Sequence, residues 1–304
     1  MPRSSLRARA VFGLLALAAC AGVPAADILG TKPSYLGELT KDFPNEAAIS
    51  RRIWVPGLDD GYIPQGLTTV DGQIVVGTYY SIDPKVDNGP CRIFRIDPAT
   101  GRETGRFDAP AGCGHAGGLA YLGNKMLVIV DTRQLWRIDL EKAFATGNAE
   151  SAVRGTVKLS GLLRGSYGAA ENGDLWIGTW TTDATNAKLF RLPAKIFETH
   201  DGQTISEAQA VETFPIPVRV QGLAFDGKGS MWISASNSKF GLLYRLDRAS
   251  AEVRARYDFV PGVEDLEFDD RGVLWAACEA GSRKYMNWAT HHPLIFSIDV
   301  EKLR

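Results

Sequence analysis

The sequence lacks the short motifs that mark several large enzyme classes. It contains no P-loop, no G-x-S-x-G elbow, no C-x-x-C pair and no H-E-x-x-H zinc motif. It also lacks a basic patch interleaved with aromatic residues, and its formal net charge is −1. Nucleic acid is therefore a poor partner. No apolar run beyond residue 26 is long enough to span a bilayer as a helix.

Residues 1–26 have the features of an export signal. Basic residues precede an apolar run over 11–19 that is too short to cross a membrane. The run ends in Leu17-Ala18-Ala19-Cys20, which resembles a bacterial lipobox and implies lipid attachment at Cys20. Cleavage before Ala26 by an ordinary signal peptidase is the alternative. Either route exports the chain, to the periplasm or outer membrane as a lipoprotein or as a secreted protein, with membrane contact only through a lipid anchor.

Strand-turn-strand phrases recur about 50 residues apart, without helical patterns between them. Each phrase starts with a short strand, turns at Gly, Asp or Asn, and continues into a second apolar strand. The five copies align at Gly66, Gly118, Gly168, Gly222 and Asp265. Recurrence of this kind predicts an all-β fold, a β-propeller of four-stranded blades. The count gives five blades, and six remain an alternative if the N-terminal segment or the interval 168–222 contains a degenerate copy.

The fifth copy ends without a fourth strand. Arg52-Ile53-Trp54-Val55, ahead of the first copy, can supply it and close the ring. We therefore predict a signal peptide at 1–26, an N-terminal extension at 27–50 and a propeller at 51–304. The same topology places Cys91 and Cys113 on one face of neighbouring blades. Export permits a disulfide, so we predict that these two cysteines are bonded, with two free buried thiols as the alternative.

Topology also locates a site. The first strand of each blade starts, and the second strand ends, at one mouth of the central channel, and loops at such a mouth commonly carry function. Polar and aromatic residues occupy these positions where small apolar filler would suffice. From them we select Gln65, Tyr79, Tyr167, Trp180 and Gln221 as ligand-binding candidates. Three carboxylates converge there from different blades, and oxygen-rich sites of this kind suit hard cations.

The repeats over residues 60–300 resemble the senescence-marker-protein/gluconolactonase and paraoxonase-like propellers, within the wider TolB-like and strictosidine-synthase-like group. That resemblance implies a divalent cation, calcium or zinc, that polarises a lactone or ester carbonyl and activates water. Carried over, the implied metal ligands are Asp131, Asn237, Glu264 and Glu279. The implied catalytic residues are His115, Glu264 and Asp265.

Two functions follow as expectations. The first is metal-dependent hydrolysis of a lactone or ester at the channel mouth. The second is a propeller of the cell envelope that binds a small molecule, a glycan or an envelope protein without chemistry. Channel carboxylates that merely pair with arginines such as Arg164 and Arg219 would remove the metal from the first expectation.

Overall fold

The computed structural model describes residues 27–83, 88–193 and 195–304. These residues form five antiparallel sheets, each with four principal strands, arranged as a β-propeller. The five-blade prediction is confirmed. The export signal and Cys20 fall outside the described residues. Among the described residues, no helix is long and apolar enough to cross a membrane.

The strands follow the chain blade by blade, with the innermost strand first. Blade one consists of β2 (Tyr62–Val70), β3 (Gln73–Tyr80), β4 (Cys91–Ile96) and β5 (Glu103–Asp108). Blade two consists of β6 (Gly118–Gly123), β7 (Met126–Asp131), β8 (Gln134–Asp139) and β9 (Val153–Leu159), with the short β13 (Thr204–Ile205) added parallel to β9. Two helices, α1 (Leu140–Thr146) and α2 (Ile196–Thr199), lie in connections between strands.

The remaining blades repeat this order. Blade three consists of β10 (Tyr167–Glu171), β11 (Asp174–Gly178), β12 (Lys188–Leu192) and β14 (Glu212–Pro215). Blade four consists of β15 (Val220–Phe225), β16 (Ser230–Ser236), β17 (Gly241–Asp247) and β18 (Val253–Phe259). Blade five consists of β19 (Val263–Phe268), β20 (Leu274–Cys278), β21 (Leu294–Ile298) and β1 (Ile49–Trp54).

The ring closes as the sequence predicts, because β1 is the outermost strand of blade five. Ile53 pairs with Ile295 and Trp54 pairs with Leu294. Closure in this way joins the two ends of the chain in one sheet and removes an open strand edge. The N-terminal extension continues along the blade, where Leu29 bridges to Ile53.

The repeated glycine of the first strands sets how closely the blades meet at the axis. A Cβ added to Gly118 would lie 2.2 Å from the backbone nitrogen of Gly168, and one added to Gly66 would lie 2.7 Å from the carbonyl carbon of Gly118. Neighbouring first strands therefore touch backbone to backbone, and a larger residue would push them apart.

The fifth copy has Asp265 at this crowded position. Its carboxylate accepts the backbone N–H groups of Leu67 in blade one, at 2.9 Å, and Leu223 in blade four, at 3.3 Å. Asp265 is fully buried, and burial raises the pKa of its carboxyl group well above the usual range. Both carboxylate oxygens thus serve to join blade five to its two neighbours.

Candidate functional site at the channel mouth

A cavity of about 550 Å³ opens at one end of the channel. Its walls come from the starts of first strands, the ends of second strands and the long connection between β20 and β21. The lining residues are Gln65, His115, Thr132, Arg164, Ser166, Trp180, Arg219, Gln221, Ser236, Asn237, Ser238, Glu279, Tyr285 and Trp288. The lining is polar and aromatic, which is typical of a site that orients a small ligand.

A pair of buried carboxyl groups lies at the base of this cavity. Glu264, at the start of the first strand of blade five, lies beside Glu279, which follows its second strand. Glu264 is 2% exposed and Glu279 is 6% exposed. Burial disfavours the charged form of each carboxyl group, so both pKa values are raised.

Amide groups hold each member of the pair from a different blade. Gln65 Nε2 donates to Glu279 at 2.8 Å, and Gln221 Nε2 donates to Glu264, also at 2.8 Å. The Tyr285 hydroxyl also hydrogen-bonds Glu279 and lies 2.9 Å from the hydroxyl of Tyr79. These contacts fix the orientation of both carboxyl groups.

The electrostatics of the pair follow from burial. Burial raises the pKa of Glu279 to about 7, although the bonds from Glu264 and Gln65 and the charge of Lys284 act to lower it. Burial, then the charge of Glu279, raises the pKa of Glu264 well above its usual range. A carboxyl group with a pKa near 7 can both donate and accept a proton under physiological conditions.

Of the four predicted metal ligands, only Glu264 and Glu279 come together at the base of the cavity. Asp131 is turned toward the loop ahead of β6, where its Oδ1 accepts the backbone N–H groups of His115 at 2.6 Å and Ala116 at 2.9 Å. Asn237 Oδ1 accepts the backbone N–H groups of Lys239 and Phe240 in its own turn. The residues at the mouth therefore do not fit the cation that the resemblance implies.

Other predicted residues take different places. Tyr167 is fully buried away from the cavity, and its ring would overlap a Cβ on Gly178. Tyr79 is buried behind the lining, where its hydroxyl contacts Tyr285 and its ring packs against His115. Asp265 joins blades and does not line the cavity. Trp180, 40% exposed, forms part of the cavity wall.

His115 lines the cavity and packs against Tyr79, with ring centroids 5.5 Å apart. Burial lowers its pKa, so the ring is neutral. Its Nδ1 is buried and has no hydrogen-bond partner within 27–83, 88–193 and 195–304. The ring is thus available to a ligand, but it does not contact the carboxyl pair through any hydrogen bond in that part of the chain.

Cys91 and Cys113 are neighbours, as topology predicts, but they are free thiols in this structure. The predicted disulfide is not formed. The two sulfur atoms and a carboxylate oxygen of Asp131 all lie within 4.8 Å of one another, and all three residues are buried. Contact between neighbouring blades brings the thiols together without bonding them.

The repeat pattern missed two aromatic residues of the cavity. Tyr285 and Trp288 belong to the connection over 279–293, and their rings pack at a tilt with centroids 4.4 Å apart. This connection is longer than the corresponding connections of the other blades, so the repeat could not place its residues. Its length, together with the run Arg283-Lys284-Tyr285, was the available signal.

No protein-family model matches the sequence, and no curated protein sequence does either. The fold is similar to that of Myxococcus xanthus glutaminyl cyclase, at TM-score 0.54 and 14% identity over 82% of this chain and 94% of that one. It is also similar to PQQ-bound aldose sugar dehydrogenase from Streptomyces coelicolor, at TM-score 0.45 and 14% identity over 77% and 93% of the two chains. The shared feature is the β-propeller fold. The finer resemblance to gluconolactonase-like or TolB-like propellers stays a prediction.

Proposed function

We propose that this protein is an exported enzyme that transfers or hydrolyses the acyl group of a small lactone, ester or amide. The observation that supports the proposal most strongly is the pair of buried carboxyl groups, Glu264 and Glu279, at the base of the cavity, both with raised pKa values. Glu279 faces the cavity and would exchange a proton with the substrate, while Glu264 lies behind it and supplies or receives that proton.

The chemistry does not route through a metal at the mouth. Glu279 removes the proton of the attacking water or amine and later returns a proton to the leaving oxygen or nitrogen, and Glu264 behind it receives and resupplies that proton. The amides of Gln65 and Gln221 hold the two carboxyl groups in fixed orientations by donating hydrogen bonds to them. The Tyr285 hydroxyl, already bonded to Glu279, would stabilise negative charge on the carboxylate during turnover.

The charges around the cavity indicate which substrates it would accept. Arg164 and Arg219 both line it, and neither guanidinium pairs with a carboxylate in the described part of the chain. Two uncompensated cations beside exposed Trp180 favour a substrate with an anionic group and a flat or apolar part. We therefore expect lactones or esters that carry a carboxylate to react better than neutral ones.

The test is turnover of a panel of paired substrates by the purified full-length protein, for example 4-nitrophenyl butyrate beside mono-4-nitrophenyl glutarate. We expect Glu279→Gln to lower kcat by roughly 10²-fold or more, the range for loss of a positioned acid or base. Glu267→Gln is the matched control, because Glu267 is a partly buried glutamate on the strand of Glu264 and accepts from the Thr68 hydroxyl outside the cavity. Turnover that survives Glu279→Gln, or no turnover of any substrate, would contradict the proposal.

The second candidate is a ligand-binding propeller without chemistry, and the aromatic and arginine lining favours it. Binding can be followed by quenching of tryptophan fluorescence by 5-(4-nitrophenyl)pentanoate, which carries a carboxylate and a nitrophenyl ring but no ester or amide bond. If that compound binds wild type and Glu279→Gln alike while neither turns over any substrate, the binding function is the better account.

A further inference from the structure

The cluster of Cys91, Cys113 and Asp131 lies outside the carboxyl pair and is not used by the proposed chemistry. Cys91 begins the third strand of blade one, Cys113 precedes blade two, and Asp131 ends the second strand of blade two. The nearest approach recorded between sulfur and carboxylate is 3.8 Å, from Cys113 Sγ to Asp131 Oδ1. Within 27–83, 88–193 and 195–304, no other group of three His, Cys, Asp or Glu side chains is as compact.

We propose that these three residues bind a zinc ion. Zinc sites have metal–sulfur bonds of about 2.3 Å and metal–oxygen bonds of about 2.0–2.2 Å in a tetrahedron. Ligand atoms in such a site lie about 3.5–3.8 Å apart, and the observed cluster requires only small side-chain movements to reach that geometry. Two thiolates and one carboxylate suit zinc and exclude calcium, which takes oxygen ligands.

Three protein ligands leave one coordination position. His115 is in the same loop as Cys113, and its backbone N–H already donates to Asp131. Its Nδ1 is buried without a hydrogen-bond partner in the described ranges, an arrangement that is unfavourable unless a ligand or ion satisfies the atom. The imidazole nitrogens of His115 are nevertheless not among the ligand atoms that lie within 4.8 Å of one another, so the fourth position is open to a water molecule.

Metal binding here changes the protonation of the cluster. Burial raises the pKa of the Cys91 thiol, so this sulfur keeps its proton in the absence of metal. Zinc binding deprotonates coordinating thiols, so one zinc ion releases two protons to solvent and leaves two thiolates. A bound ion would also fix the loop at 113–116, which includes the cavity residue His115.

The disulfide is the direct competitor of this site, because it consumes both thiols. An oxidant would remove two electrons and two protons from the pair and leave no thiolate for zinc. Metal content and disulfide state therefore distinguish the two outcomes in a single preparation.

The experiment measures zinc content of the full-length exported protein, followed by titration of the reduced, metal-free protein with zinc and with cobalt. We expect one ion per chain and, with cobalt, a thiolate charge-transfer band. Cys91→Ser, Cys113→Ser and Asp131→Asn should each weaken zinc binding tenfold or more. Cys278→Ser is the control, because Cys278 is buried elsewhere in the core, where its thiol donates to the carbonyl oxygen of Pro261.

If a variant does not fold, a measurement on the wild-type protein alone still tests the proposal. Bound zinc should protect Cys91 and Cys113 from alkylation in the native protein, and a chelator should expose them. A Cys91–Cys113 disulfide in the isolated protein, or no uptake of zinc or cobalt by the reduced protein, would overturn the proposal. Equal metal binding by Cys91→Ser and wild type would also overturn it.

Discussion

Blade five and the four blades before it follow one repeat but differ where they meet the axis. In blades one, two and four, glycine at the aligned position lets the first strand touch the backbone of the next first strand, whereas Gly168 in blade three meets the carbonyl oxygen of Trp176 and the side chain of Val130. In blade five the same position is Asp265, preceded by Glu264, and the second strand leads into Glu279. The first four blades thus share a small residue at the axis, and the buried carboxyl groups are concentrated in the fifth.

Two acidic residues at equivalent positions show how surroundings decide the role. Asp131 and Glu279 both stand at the exit of a second strand. Asp131 accepts two backbone N–H groups at the loop before β6, so its oxygen is held by local structure. Glu279 meets a second carboxyl group, an amide and a hydroxyl, and it faces the cavity. The first arrangement fits a structural or metal-binding role, and the second fits proton transfer.

The largest loss of stability is expected when the glycine at the aligned position of a first strand is replaced by a residue with a side chain. In Gly118→Ala the added Cβ would lie 2.2 Å from the backbone nitrogen of Gly168, which cannot move without separating blades. We expect a loss of more than about 3 kcal/mol in the free energy of unfolding, at the upper end for a single substitution.

Chemical denaturation measures this loss, with Gly37→Ala as the control, because nothing lies within 4 Å of a Cβ added at Gly37. A change below about 1 kcal/mol in Gly118→Ala would mean that the blades can separate at the axis at little cost.

A smaller effect, dependent on pH, is expected at the carboxyl pair. The pKa of Glu279 is raised to about 7 in the folded protein, so the folded state holds more protons than the unfolded state between about pH 4.5 and 7. Its contribution to stability is therefore greatest in acid and is lost as pH rises to 7. The neighbours that set this titration are Glu264, Lys284 and Tyr285.

Glu279→Gln removes this contribution while keeping the shape of the side chain. We expect the variant to gain stability over wild type as pH rises from 5 to 8, by on the order of 3 kcal/mol for a shift of this size. Thermal or denaturant unfolding at both pH values measures the difference. A constant difference between the two proteins would show that the buried pair does not titrate in this range.

The fold could be predicted from the sequence because its signal is repeated. Each of the five strand-turn-strand phrases predicts one blade of the same kind. The last copy lacks a fourth strand, which indicated that the segment observed as β1 completes it. Burial also agrees with the repeat, since Trp176, Trp232 and Trp275 occupy one position of the second strands and are all buried.

The site could be predicted only in part, since topology fixes where a residue lies but not where its side chain turns. The repeat selected Gln65, Gln221 and Glu279, which the structure places on the cavity. It could not show that Asp131 turns toward Cys113, because that depends on the loop before β6. The repeat could not predict the position of Tyr285 for a different reason, since the long connection that carries this residue belongs to blade five and does not follow the repeat.

The smallest of the three effects is expected when blade five is made to resemble the other four. Asp265→Gly restores the glycine of the repeat but leaves the backbone N–H groups of Leu67 and Leu223 without their acceptor. An unsatisfied buried donor costs about 1–3 kcal/mol, and the relief of burying a carboxyl group offsets part of that cost. We expect a net loss of about 2 kcal/mol.

Asp265→Asn sharpens this measurement, because its amide keeps one acceptor oxygen and loses the other. The free energy of unfolding of Asp265→Asn should lie between that of wild type and that of Asp265→Gly. If Asp265→Gly is as stable as wild type, the carboxylate is not what joins blade five to its neighbours. Blade five would then be held at the axis by the same backbone contacts as the other four, and Asp265 would be free to take part in the chemistry of Glu264 beside it.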